Sequence, residues 1–199
     1  MTREERMAFL QQQSAARIKN LEEELESLEA FEGLRLLEIG CGHGHWLASY
    51  AETHPEVLSV GIDLKSKRIA KGLEKAAKRN LQNLYFWKAE AREFLKATPQ
   101  RRKWDLICLL FLDPWPKEKH HKKRLIQPAF LDLLADKSAP DARLFFRTDH
   151  KPFFDWTREQ LEHHPDWEIQ KDVPWIHEHG SYFQNFMDSW NSLVGIRNS

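Results

Sequence analysis

A chain of 199 residues, 41% apolar and 30% charged, is long enough for one α/β domain and short for two. No window approaches the roughly 18–20 continuous apolar residues of a membrane helix, and two cysteines, Cys41 and Cys108, exclude a disulfide framework. The net charge of zero argues against a uniformly basic nucleic-acid binder, but it is unevenly spread: residues 1–60 carry 5 Lys/Arg against 11 Asp/Glu, residues 61–130 carry 18 against 7, and residues 131–199 carry 7 against 12.

The opening MTREERMAFLQQQ is charged and polar where a signal peptide needs an apolar stretch, so a cytoplasmic location with both thiols reduced is expected. Residues 1–30 lack Gly and Pro and are rich in Glu, Gln, Leu and Ala, which predicts a helical extension ahead of a single domain over 31–199. Ile18, Leu21, Leu25 and Leu28 form one narrow apolar stripe. It either lays the helix on the domain or seams two copies together, so monomer and homodimer both stay open.

From Leu34 the pattern becomes short apolar runs alternating with amphipathic stretches. Strands are predicted over Leu34–Ile39, Val57–Ile62, Leu84–Trp87, Trp104–Leu112 and Arg143–Arg147. Helices are predicted over His45–Glu52, Ser66–Asn80, Ala91–Ala97 and Gln127–Asp136. Such alternation predicts an α/β, Rossmann-like fold: a mostly parallel, twisted sheet with helices on both faces and ligands beyond the carboxyl ends of the strands. The aromatic tail from Trp167 is expected to add antiparallel strands at one edge.

The run Leu36-Leu37-Glu38-Ile39-Gly40-Cys41-Gly42-His43-Gly44 carries an apolar strand into a glycine loop that opens a helix. Glycines at this junction allow a sharp turn and close approach to a ligand. A dinucleotide fingerprint would place its third glycine at position 45, where this chain has His45. Gly-x-Gly-x-Gly with Glu38 two residues ahead instead resembles the first motif of class I methyltransferases. A carboxylate there suits the cationic S-adenosylmethionine better than an anionic pyrophosphate. Asp63 ends the next predicted strand, where a carboxylate can take both hydrogen bonds of a ribose diol. Glu90 follows the third strand, where such enzymes often have a group facing the adenine edge. Each acid alone also reads as a helix N-cap or a solvated charge. Three successive strand ends favour an adenosyl group.

The fourth strand runs into Asp113-Pro114-Trp115-Pro116-Lys117, then Glu118-Lys119-His120-His121-Lys122-Lys123-Arg124. This resembles the signature of bacterial tRNA (guanine-N7)-methyltransferases, and the resemblance extends from Leu34 to about Asp149. It implies S-adenosylmethionine as cofactor, bound by Glu38, Asp63, Glu90 and Asp113 with the loop glycines Gly40, Gly42 and Gly44. It also implies tRNA as partner and position 46 of the variable loop as target. By the same matching Asp113 is the catalytic carboxylate, while Lys117 and Asp149 contact the substrate. The family's C-terminal Thr-x-x-Glu corresponds best to Ser181-Tyr182-Phe183-Gln184, with Ser181 and Gln184 as the substrate contacts. There the hydroxyl is kept and the carboxylate becomes an amide. Phe111-Leu112 stands where the family often has Phe-Pro.

The two prolines limit the freedom of the Asp113–Lys117 segment, and the cations behind it, Arg124 included, are expected to grip phosphates. Lys65–Arg79 reads either as a second phosphate-attracting face or as a solvated helix surface. Ten histidines come without Cys-x-x-Cys or His-Glu-x-x-His, so no metal is expected. The remaining functional alternatives are a methyltransferase of this fold acting on another RNA or a small molecule, and a non-catalytic cofactor-binding relative.

Overall fold

In the computed structural model, which describes residues 1–178 and 189–198, the central strands β1 (Arg35–Ile39) and β2 (Leu58–Asp63) are buried at every position. Strands covered on both faces must be near-continuous apolar runs, which is how Leu36-Leu37 and Leu58-Ser59-Val60 read. Five parallel strands, β1 and β2 with β3 (Leu84–Lys88), β4 (Trp104–Leu110) and β5 (Ser138–Thr148), are joined by antiparallel β7 (Asn191–Arg197) and the edge strand β6 (Trp167–Gln170). The order is β3-β2-β1-β4-β5-β7-β6. The chain therefore builds outward in one direction from β1 to β3, then returns to place β4 on β1's other side. The tail does supply antiparallel strands, although only β6 lies at the edge.

Helices α2 (His45–Thr53) and α3 (Ser66–Lys78) cover one face, packing Trp46, Leu47, Tyr50 and Ile69 against Leu36, Cys108 and Phe145. The other face carries α4 (Ala91–Ala97), α5 (Pro128–Asp136) and α6 (Lys151–Glu162), which bury Phe94, Phe130, Leu134 and Phe153 against Leu37, Val60, Ile107 and Phe146. On the first face the ring of Phe86 fills the space of three absent side chains. A Cβ added at Gly44, Gly61 or Gly72 would come within 2.5, 2.8 and 3.0 Å of it.

The predicted elements agree with these closely, and three differences stand out. Strand β4 stops at Leu110 rather than Leu112, because Phe111 turns to φ 51°. Strand β5 begins at Ser138 rather than Arg143. It pairs Ser138 with Trp104 and then Arg143 with Leu106, accommodating the extra residues in a bulge around Asp141, φ 61°. Helix α6 has no counterpart in the sequence reading.

The N-terminal helix α1 (Arg3–Leu25) starts on a reciprocal capping box between Thr2 and Glu5. Its C-terminal half lies on the domain. Leu21 and Leu25, with Leu28 just beyond, enter the core and Ile18 packs against it. Arg17 grips Glu93 of α4 through two bonds of 2.6 and 2.8 Å, holding that carboxyl below the usual range. The apolar stripe is thus used within the chain. The first half of α1 stands exposed, Phe9 and Leu10 included.

Leu25→Ala is expected to cost about 2–4 kcal/mol of stability, whereas Leu10→Ala should cost less than about 0.5 kcal/mol. Urea unfolding of the two variants checks this, and equal losses would overturn the division of α1.

Candidate active site

The strand order reverses between β1 and β4, and in open α/β sheets the crevice for ligands lies at that point. Two adjoining cavities are found there. One, of about 300 Å³, is lined by Gly40, Asp63, Arg68, Glu90, Asp113 and Trp115 among others. A smaller one, of about 90 Å³, is lined by Glu38, Gly42, Arg68 and Asp113 among others. Asp113, exposed, borders both.

The loop after β1 has positive φ at Gly40, Gly42 and Gly44. Gly44, the N-cap of α2, is needed for its φ of 66° and for the Phe86 ring beside it. At Gly42 the need is different. A Cβ there would meet nothing within 4 Å, so the space it leaves is open, as a cradle for a ligand would be. Glu38, on the sheet face of Leu36, is 4% exposed and its Oε2 has no hydrogen-bond partner. Burial, with the nearby Asp63 adding to it, pushes its carboxyl well above the ordinary range. A buried carboxyl oxygen without a partner is costly. Here the unpartnered oxygen lies beside a glycine loop that leaves space open at Gly42.

Asp63 is already engaged: it accepts from Gly42 N at 3.1 Å, Lys65 N at 2.8 Å and Arg68 Nη1 at 3.2 Å. It therefore ties the glycine loop to the start of α3. Glu90 caps α4, its Oε2 accepting from the amides of Arg92 at 2.8 Å and Glu93 at 3.1 Å. Its reading as an N-cap is correct, and it still lines the larger cavity. The acidic residues thus differ: Glu38 has an orphan oxygen, while Asp63 and Glu90 combine structural bonds with a place on the cavity wall.

Beyond β4, Phe111 and Trp115 hold φ of 51° and 44°. For bulky residues this costs roughly 1–3 kcal/mol each and persists only where the surroundings enforce it. Phe111 N donates to Arg147 O at 2.8 Å. Lys123 Nζ lies 4.5 Å from the centre of the Trp115 ring, and His120 meets its edge. Lys117, Lys119, Lys122 and Lys123 are exposed. Arg124 departs from the expected phosphate-gripping cluster. It is 2% exposed, donates to Pro114 O at 2.9 Å, and lies over the rings of Phe153 and Trp156.

Asp149 is exposed just past the end of β5, the neighbour of β4, so Asp113 and Asp149 follow adjacent strand ends. Ser181 and Gln184 lie outside the described residues. The chain on either side of that stretch is tied to one buried side chain, Arg147. Its guanidinium takes Glu178 at 3.1 and 3.2 Å, Ser192 at 2.8 Å, and the faces of Trp175 and Trp190. Residues 175–178 are further held on α2, where His177 O accepts from Trp46 Nε1 at 3.1 Å.

Residues 32–188 match the family Methyltransf_4, described as "Putative methyltransferase". The chain belongs to this family. A tRNA (guanine-N(7)-)-methyltransferase of Chromohalobacter salexigens is 36% identical over 70% of this chain and 58% of its own length. One of Lactobacillus johnsonii is 30% identical over 77% of each. The chain spans little more than half the length of the first relatives it matches, 58%, 56% and 55%. The solved structure of the 16S rRNA methyltransferase KamB superposes with a TM-score of 0.64 at 19% identity, covering 88% of this chain and 93% of that one. That likeness shows a shared fold.

Three features of this methyltransferase family member escape the sequence reading. Arg68, in the cationic run of α3, pairs with Asp63 in the cavity wall. Arg124 and Arg147 are buried hubs rather than surface charges. Apolar neighbours offered the only signal: Arg124 precedes Leu125-Ile126 and Arg147 ends Leu144-Phe145-Phe146. Among the described residues, the single three-membered cluster with metal-ligand geometry is Asp132, His164 and Asp166. Both ring nitrogens of its histidine are within bonding distance of Asp132 Oδ1 and Asp166 N.

Glu38→Gln should raise stability at neutral pH. A carboxyl whose folded pKa exceeds the unfolded value near 4.3 costs the fold nothing below that value. It becomes progressively destabilising as pH rises through the folded pKa. The Tm advantage of the variant is therefore expected to be larger at pH 8 than at pH 4, and an advantage that shrinks with pH would overturn the assignment. Gly44→Ala should cost about 2 kcal/mol or more through strain and overlap with Phe86. Gly42→Ala, which meets no neighbour, should cost about 1 kcal/mol less in urea titrations.

Proposed function

We propose that this chain transfers a methyl group from S-adenosylmethionine to N7 of a guanine in tRNA, in the cytoplasm, with position 46 of the variable loop as target. The observation that carries the reading is Asp113, an exposed carboxylate shared by the two cavities and flanked by exposed lysines. The relatives named as tRNA (guanine-N(7)-)-methyltransferases support the substrate.

The residues present fit the cofactor. Glu38 Oε2 offers an unpartnered, buried acceptor suited to an ammonium group, and Gly42 leaves open space beside it. Asp63 and Glu90 line the larger cavity as acceptors for hydroxyl and base-edge donors, with Gly40 and Gly44 shaping the turn. When bound, the sulfonium supplies an electrophilic methyl group.

Guanine N7 carries a lone pair and no proton, so attack on the methyl carbon requires no general base. Methylation there would leave a positive charge on the purine for the protein to stabilise. What remains for the protein is alignment, which can lower the barrier by several kcal/mol, and stabilisation of that charge. We assign the second role to Asp113. Its carboxylate, with that of Asp149 past the adjacent strand end, also suits the N1–H and N2–H donors of guanine. Lys117, Lys119 and Lys122 meet phosphates as sequence-independent contacts. Ser181 and Gln184 are further substrate contacts, the amide keeping hydrogen-bonding capacity without charge.

Methyl transfer from labelled S-adenosylmethionine to tRNA lacking 7-methylguanosine is expected to yield labelled 7-methylguanosine on nucleoside analysis. Label in another nucleoside, or none with cofactor bound, would overturn the substrate. Asp113→Ala should lower kcat at least about 100-fold, by the loss of a transition-state charge contact. Lys119→Ala should leave kcat within about twofold and reduce the salt slope of tRNA binding by about 0.7–0.9, read from titrations at several salt concentrations.

A further inference from the structure

The loop from Asp113 to Lys117 carries the proposed reaction, yet little holds it. It leaves β4 through Phe111 and passes Trp115, both at positive φ. Two prolines, Pro114 and Pro116, give it no amide donors of their own. Among the described residues, the one hydrogen bond that reaches its interior, residues 113–116, is from Arg124 Nε to Pro114 O. That carbonyl sits on the peptide between Pro114 and the strained Trp115, one residue from Asp113.

Arg124 is an expensive choice for a merely structural position. It is almost wholly buried, its Nη2 has no hydrogen-bond partner, and burial lowers its pKa. No ion pair offsets the charge among the described residues; it is covered by the rings of Phe153 at 5.4 Å and Trp156 at 5.3 Å. An apolar side chain of similar volume would fill that space at lower cost. These neighbours are themselves anchored: the Trp156 ring donates Nε1–H to Ile126 O at 2.9 Å, and the Phe153 backbone N–H donates to His150 Nδ1 at 3.1 Å. The guanidinium is planar and cannot rotate its donors as a lysine can, so two rings set the direction of Nε and Nε sets the height of Pro114.

We propose that Arg124 is the positioning residue of this site: it clamps the Pro114 carbonyl, and through it holds Asp113 and Trp115 at the rim of the cofactor and target cavities. It touches no reactant and acts through Asp113. The role rests on the methyl-transfer reading, but the clamp has a readout that does not depend on it.

The test uses the full chain with Arg124→Met and Arg124→Lys. For Arg124→Met, kcat for tRNA methylation should fall at least 30-fold while KM for tRNA stays within threefold. The Kd of S-adenosylmethionine by calorimetry should shift less than kcat, by under tenfold, because Glu38 and the glycine loop are untouched although Asp113 and Trp115 line the same cavity. Trypsin cleavage between Lys117 and Lys123, measured well below both Tm values, should be at least tenfold faster than in wild type. Arg124→Lys, which keeps the charge and a donor, should recover at least threefold of the lost kcat and cleave at an intermediate rate. Wild-type kcat in Arg124→Met, or an unchanged cleavage rate, overturns the clamp. Where Arg124→Met fails to fold, Arg124→Lys decides: slower turnover with faster cleavage supports the clamp, and wild-type values of both overturn it. A wild-type chain that makes no 7-methylguanosine overturns the functional reading alone, since the cleavage rates still test the clamp.

Discussion

Everything in the site descends from the reversal of strand order at β1. Right-handed crossovers place α2 and α3 on one face and α4 on the other, so the loops leaving β1 and β4 turn in opposite directions and separate. Neither loop can cover the gap. The chain meets this constraint twice at the same edge, with glycines where backbone must bend beside open space and with strained aromatic residues where a carboxylate must stand at the rim.

Buried charge follows the same division. Arg35, 7% exposed, fastens the end of the N-terminal segment through bonds to Leu28 O and Phe31 O at 2.9 and 3.0 Å. Lys137 donates to Thr98 O at 2.8 Å, and Arg147 satisfies carboxylate, hydroxyl and two rings at once. These groups repay their desolvation within the chain. Glu38 and Arg124 do so only in part, each keeping one orphan polar atom. Both lie within the β1–β4 crevice or directly behind it. Ser59, Thr157, Trp175 and Arg197 each keep one as well, and of these six residues it is Glu38 that lines a cavity at the strand-order reversal.

The frame was legible because the physics behind it is local. Leu36-Leu37 and Val60-Gly61-Ile62 are apolar on both faces and can be little but central strands, and the glycine run between strand and helix has few other uses. What stayed hidden depended on tertiary direction. Phe111 continues an apolar run, so its left-handed turn cannot be seen in the residue itself. Pro140-Asp141 reads as a turn, although β5 passes through it with a bulge. Helix α6 could have been found from the spacing of its buried Phe153, Thr157 and Leu161 and from Pro152 in its first turn. Arg124 closes a run of six cations and histidines, Lys119 to Arg124, and composition alone cannot say which of them faces inward.

Phe86 links three positions that are distant in sequence. Gly44 opens α2, Gly61 lies in β2 and Gly72 in α3, and one aromatic ring from β3 occupies the place of all three Cβ atoms. The four positions therefore behave as a single heritable unit. A larger residue at any glycine is compatible with the fold only alongside a smaller one at 86, and a smaller one at 86 opens a void beside the glycine loop that follows β1. Divergence here must proceed in coupled steps, so among relatives these sites should either be retained together or change together.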